Sequence, residues 1–211
     1  MSRLIQVQTR LNGQNPSLPR AVERPTSPRK PRMKAIFLDR DGTLAAAPHD
    51  LSLHPGTAPA LRLLSRLDYR LFVLDRHDGL GAAADASTDT IGQRLHALLL
   101  RERLALDGFY RCPRHPHDGM ARDGVDCHCR RPLPGLLLQA AHDHGVDLRS
   151  SWMVGAQLHD VEAGNRAGCR TILVDNGCER EWRLGPRRVP TRMAPDLYAA
   201  AILVASHGEP A

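Results

Sequence analysis

Residues 34–44 read KAIFLDRDGTL, an apolar run that ends in two closely spaced carboxylates. A short apolar run closed by charged residues is typical of a buried strand in a parallel sheet. We therefore predict a strand over residues 34–39, followed by a loop. Asp39 and Asp41 then lie where the strand runs into that loop, and both carboxylates can face one pocket.

The rest of the chain alternates between strand-like and helix-like segments. The longest is a predicted amphipathic helix over residues 88–106, with its apolar residues on one side. The alternation predicts an α/β fold, a doubly wound parallel sheet in which ligands bind beyond the carboxyl ends of the strands. The other predicted strands are 69–74, 151–154 and 171–174, and the other predicted helices are 61–67, 133–144, 160–167 and 194–205.

The positive charge of the chain is concentrated at its N-terminus. The net charge is +6, and residues 1–33, with seven Lys and Arg against Glu23 alone, account for all of it. We predict that this Pro-rich segment is a disordered tail. Contact with an acidic surface or with nucleic acid, and an organellar transit peptide, are the alternatives. The remainder, a domain over 34–205 and a short tail over 206–211, is neutral, which argues against a nucleic-acid-binding domain.

The composition excludes several classes of protein. The chain has 211 residues, of which 42% are hydrophobic and 25% charged, as in soluble globular proteins. No stretch approaches the 18 apolar residues of a membrane span, and the first residues lack the apolar core of a secretory signal. Five cysteines, an odd number, argue against a disulfide scaffold. We therefore expect a cytoplasmic, monomeric protein without a membrane partner.

The pair Asp39 and Asp41 indicates phosphoryl chemistry. Two like charges held this close favour a cation between them, and Mg²⁺ prefers oxygen ligands. One carboxylate can then attack phosphorus while the other moves a proton. An ordinary Asp-Gly turn after a strand is the alternative interpretation.

A second cluster of reactive side chains lies within residues 112–129. Thiolates and imidazoles are the typical ligands of tetrahedral Zn²⁺, and the role of such a site would be to fold the loop. Three unrelated thiols are the alternative interpretation. The cluster consists of Cys112, His115, His117, Cys127 and Cys129.

Both segments resemble one protein family. Residues 39–44 resemble motif I (DxDGT/V) of the haloacid dehalogenase (HAD) superfamily, and residues 35–44 resemble the heptose 1,7-bisphosphate 7-phosphatases and histidinol-phosphate phosphatases. Residues 107–113 (DGFYRCP) and 127–135 (CHCRRPLPG) resemble the same family, whose zinc loop reads CPH…CxCRKPxPG. The resemblance covers residues 34–205 and implies a Rossmann-like HAD domain without a large cap, with a small zinc-binding loop.

The resemblance also implies roles for individual residues. Asp39 is the implied phosphoryl acceptor and Asp41 the implied general acid and base. Arg114 stands where the family has a zinc-binding histidine, so that His115, or else His117, would complete the site. The implied ligands are Asp39, Asp41 and Asp160 for Mg²⁺, and Cys112, His115, Cys127 and Cys129 for Zn²⁺.

Three of the four HAD motifs depart from the family pattern. Motif II, usually TNQSG, aligns with residues 75–79 (DRHDG), so that a carboxylate replaces a hydroxyl. Motif III is Arg130-Arg131 instead of Arg-Lys. Motif IV, GDxxxD, aligns with residues 155–160 (GAQLHD), so that Ala156 replaces a Mg²⁺ ligand. The expected substrate-binding residues are Thr43, Asp75, Arg76, His77, Arg130 and Arg131.

Two functional hypotheses follow. In the first, Asp75 partly replaces the acid missing at Ala156, and the chain is a Mg²⁺-dependent phosphatase that forms an aspartyl-phosphate. Its substrate is a small metabolite of the sugar phosphate or bisphosphate class. Residues 45–55 form a shorter loop than in heptose phosphatases and lack the usual contact residues of that loop, which argues against heptose bisphosphate itself. In the second, the site has decayed and the chain binds a ligand or a partner without catalysis.

Overall fold

Strand β1 (Ala35–Asp39) lies inside a six-stranded sheet in the computed structural model, and all five of its residues are buried. The structure describes residues 33–45, 52–75, 88–111, 128–129 and 131–207. The strand predicted over residues 34–39 is thereby confirmed. It ends at Asp39, as the apolar run indicates.

Strands and helices alternate as the sequence predicts, and each predicted element has a counterpart. The further strands are β2 (Arg70–Asp75), β3 (Gly108–Arg111), β4 (Trp152–Gly155), β5 (Arg170–Val174) and β6 (Arg192–Ala194). The helices are α1 (Thr57–Leu64), α2 (Thr88–Arg101), α3 (Gly135–His144), α4 (Leu158–Ala167) and α5 (Leu197–Ser206).

Two strands, β3 and β6, are not predicted from the sequence. Strand β3 has four half-buried residues, and β6 has three residues, of which two are exposed. Both lie at the edges of the sheet. Strands this short carry too few residues to give a periodic hydrophobic signal.

Helix α2 ends five residues before the predicted end at residue 106. Arg103 adopts a positive φ of 57°, which interrupts the helical conformation. The backbone N–H of Leu104 then donates to the carbonyl of Leu99 at 2.8 Å, and the Leu104 side chain is buried in the core. The apolar pattern therefore continues past the helix because the chain turns back and still packs inward.

The six strands are parallel and follow the order β3-β2-β1-β4-β5-β6. The chain winds outward from β1 through β2 to β3, and then crosses to β4 on the other side of β1. Sheets of this kind have a crevice at the carboxyl ends of the strands where the order reverses. The fold therefore points to the carboxyl ends of β1 and β4 as the place for a ligand.

Side chains of β1 alternate between two hydrophobic cores, one on each face of the sheet. Ile36 and Leu38 join a core with residues of α1, α2 and α5, whereas Phe37 joins a core with residues of α3. The ring of Phe37 stacks on that of Phe72 with centroids 5.6 Å apart. Helices therefore cover both faces, which confirms the predicted doubly wound architecture.

One compact unit extends from residue 31 onward. The tail predicted over residues 1–33 lies almost entirely outside the described residues, and its disorder stays a prediction. In the described part of the chain, no helix combines the length and the apolar character needed to cross a membrane.

Candidate active site

Three buried aspartates gather at the carboxyl ends of the central strands. Asp39 is the last residue of β1 and Asp75 the last of β2, and these two strands pair in parallel. Asp160 lies in the first turn of α4, shortly after β4. All three are fully buried, so their charges need partners within the protein.

The loop that follows β1 is a tight turn, and it passes close to the residue after β4. The backbone N–H of Ala45 donates to the carbonyl of Arg40 at 3.1 Å, and that of Gly42 donates to Ala45 at 2.9 Å. Gly42 has a φ of 76°, and a Cβ there would lie 3.2 Å from Ala156 Cβ and 2.8 Å from Cys178 Sγ. This position therefore requires glycine.

Arg131 connects two of the aspartates. Its Nη1 donates to Asp39 Oδ1 at 2.6 Å and also to Asp160 Oδ1, while Nη2 donates to the carbonyl of Leu74 at 3.1 Å. Its side chain is only 3% exposed. Burial opposes the charge of Arg131, but the carboxylates of Asp160 and Asp39 outweigh that effect and raise its pKa. A permanent positive charge therefore lies beside Asp39.

Asp160 is held in place from two sides. Its Oδ2 accepts a hydrogen bond of 3.0 Å from the backbone N–H of Gln157, which closes the first turn of α4. Gly155 allows this position, because a Cβ at residue 155 would overlap the Asp160 carboxylate. Asp160 therefore faces inward, toward Arg131, and both of its oxygens are engaged by described residues.

Arg40 holds Asp41, the fourth aspartate of the site. Its Nε and Nη2 donate to the two carboxylate oxygens of Asp41 at 2.8 and 2.9 Å, which is a bidentate pair. The Asp41 side chain is 14% exposed, so it is the most accessible of the four aspartates. The residue with the implied acid and base role is therefore the one of the four that is partly open to solvent.

Asp75 lies between two arginines at the end of β2. Its Oδ1 is 3.1 Å from Arg40 Nε, and its Oδ2 is 2.9 Å from Arg111 Nε. Burial raises the pKa of Asp75 to about 6, although the charges of Arg40 and Arg111 act in the opposite direction. Because Ala156 follows β4 on the other side of β1, this arrangement argues against Asp75 as a replacement for the acid missing at Ala156.

Sequence patterns alone do not identify Arg40 or Arg111 as site residues. Arg40 directly follows β1, and Arg111 is the last residue of β3. Because Asp75 and Asp41 need counter-ions, positive residues at the ends of strands are the signal that could have indicated both arginines. Thr43, expected to bind substrate, is buried, and its hydroxyl has no hydrogen-bond partner among the described residues. Of the other five expected substrate-binding residues, Asp75 and Arg131 lie in the site, and Arg76, His77 and Arg130 lie outside the described residues.

The predicted zinc site falls mostly outside the described residues. Cys112, His115 and Cys127 belong to that part of the chain. Cys129 is described, and in the structure it is disulfide-bonded, an arrangement in which its sulfur is not a zinc ligand. No cluster of three or more His, Cys, Asp or Glu that could hold a metal ion occurs among the described residues. The zinc site therefore stays a prediction.

The oxygen donors near Asp39 fit the ligand preference of Mg²⁺. Mg²⁺ in phosphoryl-transfer sites is typically bound by one or two carboxylates together with water and substrate phosphate. Asp39 and Asp41 can supply these two carboxylates. Asp160 is engaged by Arg131 and Gln157, and Ala156 is fully buried within a hydrophobic cluster. In this structure Asp160 is therefore a partner of Arg131, and its role as a Mg²⁺ ligand stays a prediction.

Comparison with known sequences finds relatives over most of the chain. A family model described as HAD-hydrolase-like matches residues 128–200. The D-glycero-beta-D-manno-heptose-1,7-bisphosphate 7-phosphatase of Bordetella bronchiseptica is 32% identical over 180 residues, which cover 80% of this chain and 96% of that protein. The protein of the same name from Escherichia coli K12 is 34% identical, covering 68% of this chain and 80% of the relative.

Comparison with solved structures agrees. The D,D-heptose 1,7-bisphosphate phosphatase of B. bronchiseptica, crystallised with magnesium and phosphate, has a TM-score of 0.66 and 28% identity, covering 83% of this chain and 99% of that one. A HAD-like phosphatase of Mesorhizobium loti has a TM-score of 0.68 and 26% identity, covering 86% and 90%. The similarity therefore extends over the whole fold and beyond the short motifs.

Proposed function

This chain belongs to the HAD superfamily, within the family of the heptose 1,7-bisphosphate 7-phosphatases, and is a HAD-type phosphatase; we propose that it hydrolyses small phosphorylated sugars through an aspartyl-phosphate on Asp39. The observation that carries this proposal is the buried Asp39 at the end of β1, with Asp41 two residues later and the Arg131 guanidinium 2.6 Å away. A nucleophile, a proton-transfer group and a fixed positive charge thus lie at one edge of the sheet.

The reaction proceeds in two displacements at phosphorus. In the first, a carboxylate oxygen of Asp39 attacks the phosphorus, the bond from phosphorus to the sugar oxygen breaks, and that oxygen takes a proton from the Asp41 carboxyl group. In the second, Asp41 takes a proton from a water molecule, whose oxygen attacks the phosphorus while the bond to Asp39 breaks. Phosphate leaves, and both aspartates return to their starting states.

Two arginines assist these steps. Arg131 lies beside Asp39 and stabilises the negative charge of the phosphoryl oxygens as they approach that carboxylate. Arg40 fixes the orientation of Asp41 through its bidentate pair. A Mg²⁺ ion held by Asp39 and Asp41 would supply further positive charge to the phosphoryl oxygens. Because Ala156 provides no carboxylate, we propose that this chain requires a higher Mg²⁺ concentration for half-maximal activity than its relatives do.

The proposed substrate class rests on the relatives. Their names specify the 7-phosphate of a heptose 1,7-bisphosphate. We give this support more weight than the short segment 45–55 and its missing contact residues, because the similarity to these relatives extends over most of the chain. Heptose 1,7-bisphosphate is therefore the first compound to test, followed by sugar monophosphates and histidinol phosphate.

The experiment is a phosphate-release assay with added Mg²⁺ on the wild-type chain and on Asp39→Asn. We expect release from at least one sugar phosphate, and its loss in Asp39→Asn. Asp68→Asn is a matched control, because the Asp68 side chain is fully exposed and lies outside the site. Release that is equal in the wild type and in Asp39→Asn would refute the proposal.

A second candidate function is that of an impaired enzyme which binds a phosphorylated ligand without turning it over. Ala156 favours this alternative, since it is part of a hydrophobic cluster at a position where the resemblance implies a Mg²⁺ ligand. This alternative would be supported if the wild-type chain binds inorganic phosphate but releases phosphate from none of the compounds. Turnover that depends on Asp39 would exclude it.

The zinc site is a separate proposal, supported by the ligand types and spacing within residues 112–129. We expect about one Zn²⁺ per chain in protein purified under reducing conditions, and its loss in Cys127→Ser. Thiol titration of denatured protein that was purified without reductant tests the competing disulfide at Cys129. A zinc content far below one per chain would refute the proposal.

A further inference from the structure

A second charged region lies between α4 and the segment that joins β5 to β6. It is a cleft of about 500 Å³, which falls in the range of pockets for small molecules. Four arginines and one acid, Glu162, are the charged residues that line it in the described part of the chain. The arginines of this arginine cleft are Arg166, Arg183, Arg187 and Arg188.

Two of these arginines are fixed by Glu162. The Oε1 of Glu162 accepts from Nε and Nη2 of Arg166 at 3.0 and 2.6 Å, and its Oε2 accepts from Nε of Arg188 at 2.7 Å. Burial favours the neutral form of Glu162, but Arg188 and Arg166 outweigh it and lower its pKa. Glu162 is therefore ionised and fully engaged, and it holds both guanidinium groups in a defined position.

The loop that carries the other two arginines has an ordered backbone. The side-chain amide of Asn165 donates to the carbonyls of Arg187 and Val189 at 2.9 and 3.0 Å. The N–H of Arg188 donates to the carbonyl of Gly185 at 2.9 Å, which closes a turn. A loop that helix α4 holds in this way presents its side chains without a large ordering cost on binding.

The charges of the cleft do not balance. Glu162 offsets one of the four positive charges, and the ion pair of Arg183 with Glu181 is exposed on both sides, so it contributes little. The chain beyond residue 33 is neutral as a whole, which makes this concentration of positive charge a local feature. Repulsion between guanidinium groups around one cleft favours an anion that carries several charges.

We propose that the arginine cleft binds a small polyanion with more than one phosphoryl group, at a site separate from Asp39. Planar guanidinium groups match phosphoryl oxygens with paired hydrogen bonds, and the fixed pair Arg166 and Arg188 provides the rigid part of the site. The exposed side chains of Arg183 and Arg187 contact the ligand from the loop. This inference does not depend on the proposed phosphatase activity.

The test uses pyrophosphate as the probe and isothermal titration calorimetry of the full chain. We expect the double variant Arg183→Gln/Arg187→Gln to bind pyrophosphate at least about tenfold more weakly than the wild type, because two charge-assisted contacts are lost. Phosphate release from the substrate stays unchanged in this variant. The matched control is Arg101→Gln/Arg149→Gln, which removes the same charge from exposed positions outside the cleft.

The outcomes separate the cleft from the active site and from net charge. Equal weakening in the control double variant, or wild-type affinity in the cleft variant, would overturn the proposal. The Arg131→Gln chain is titrated as well, since it lacks the arginine beside Asp39, and we expect its pyrophosphate affinity to match that of the wild type. If pyrophosphate binding is lost in Arg131→Gln that has a native circular dichroism spectrum, the ligand occupies the active site and the proposal fails.

Discussion

The guanidinium of Arg131 donates a hydrogen bond of 2.6 Å to Asp39, which lies 92 residues earlier in the chain. The same nitrogen also donates to Asp160 in α4. One side chain thus connects the end of the central strand to the helix that follows β4. Because the fold holds this positive charge beside the proposed nucleophile, little reorganisation is needed when a phosphoryl group arrives.

Removal of the Arg131 charge should lower turnover. We expect Arg131→Gln to reduce kcat by a factor on the order of 100, because a preorganised charge next to the phosphoryl group is lost. Arg131→Lys should retain more activity, since it keeps the charge but loses the planar fork. Steady-state kinetics on the preferred sugar phosphate measure both. Equal activity in the two variants would contradict this role.

Restoration of a carboxylate at residue 156 should strengthen Mg²⁺ binding. In Ala156→Asp we expect the Mg²⁺ affinity to rise by about tenfold or more, because a further anionic oxygen ligand becomes available. Ala156→Asn has nearly the same shape without the charge and serves as the control. Calorimetry with Mg²⁺, or electron paramagnetic resonance with Mn²⁺, gives the comparison. An unchanged affinity in Ala156→Asp would show that residue 156 does not face the cation.

Asp75 should make stability depend on pH in a defined window. Burial raises its pKa from an ordinary value of 3.8 to about 6, a rise that corresponds to on the order of 3 kcal/mol. The folded chain holds this proton more tightly than the unfolded chain, so the contribution of Asp75 is most favourable below pH 4. This stabilising contribution is lost as the pH rises to about 6. Above that value the titration of Asp75 no longer changes the free energy of unfolding.

In Asp75→Asn this titration is absent. The free energy of unfolding of the variant, relative to the wild type, should therefore increase between pH 4 and 6 and then level off. Urea denaturation at several pH values measures this difference. Asp68→Asn, at an exposed position, should show no such trend. A difference between Asp75→Asn and the wild type that does not vary with pH would contradict the assignment.

Gly155 should be required for packing against Asp160. An added Cβ would overlap the Asp160 carboxylate, so Gly155→Ala should lower the free energy of unfolding by about 1–3 kcal/mol. Gly185→Ala is the matched control, because a Cβ there has open space around it. Equal stability of the two variants would mean that Asp160 moves away without cost.

The sequence predicted the parts of the fold that have a strong local signal. Strand β1 and the pair Asp39 and Asp41 follow from one apolar run and its charged end. Strands β3 and β6 are too short for such a signal. The end of α2 depends on the backbone conformation of Arg103, which the hydrophobic pattern does not encode.

The arginine partners of the buried aspartates can be identified only from the structure. Arg111 reaches Asp75 from a neighbouring strand, and Arg131 reaches Asp39 across the fold. Local sequence patterns indicate where a buried acid lies, but the position of its counter-ion depends on strand order and on the path of the loops. The inward orientation of Asp160 also depends on contacts that are distant in sequence.

Trapping the covalent intermediate shows whether Asp39 is the phosphoryl acceptor. The chain is mixed with its preferred sugar phosphate, quenched rapidly and treated with borohydride, which reduces an aspartyl-phosphate to homoserine. Mass spectrometry of the peptide that contains residue 39 then identifies the modified position. We expect homoserine at residue 39 and none in Asp39→Asn. Turnover with an unmodified Asp39, or homoserine at another aspartate, would contradict it.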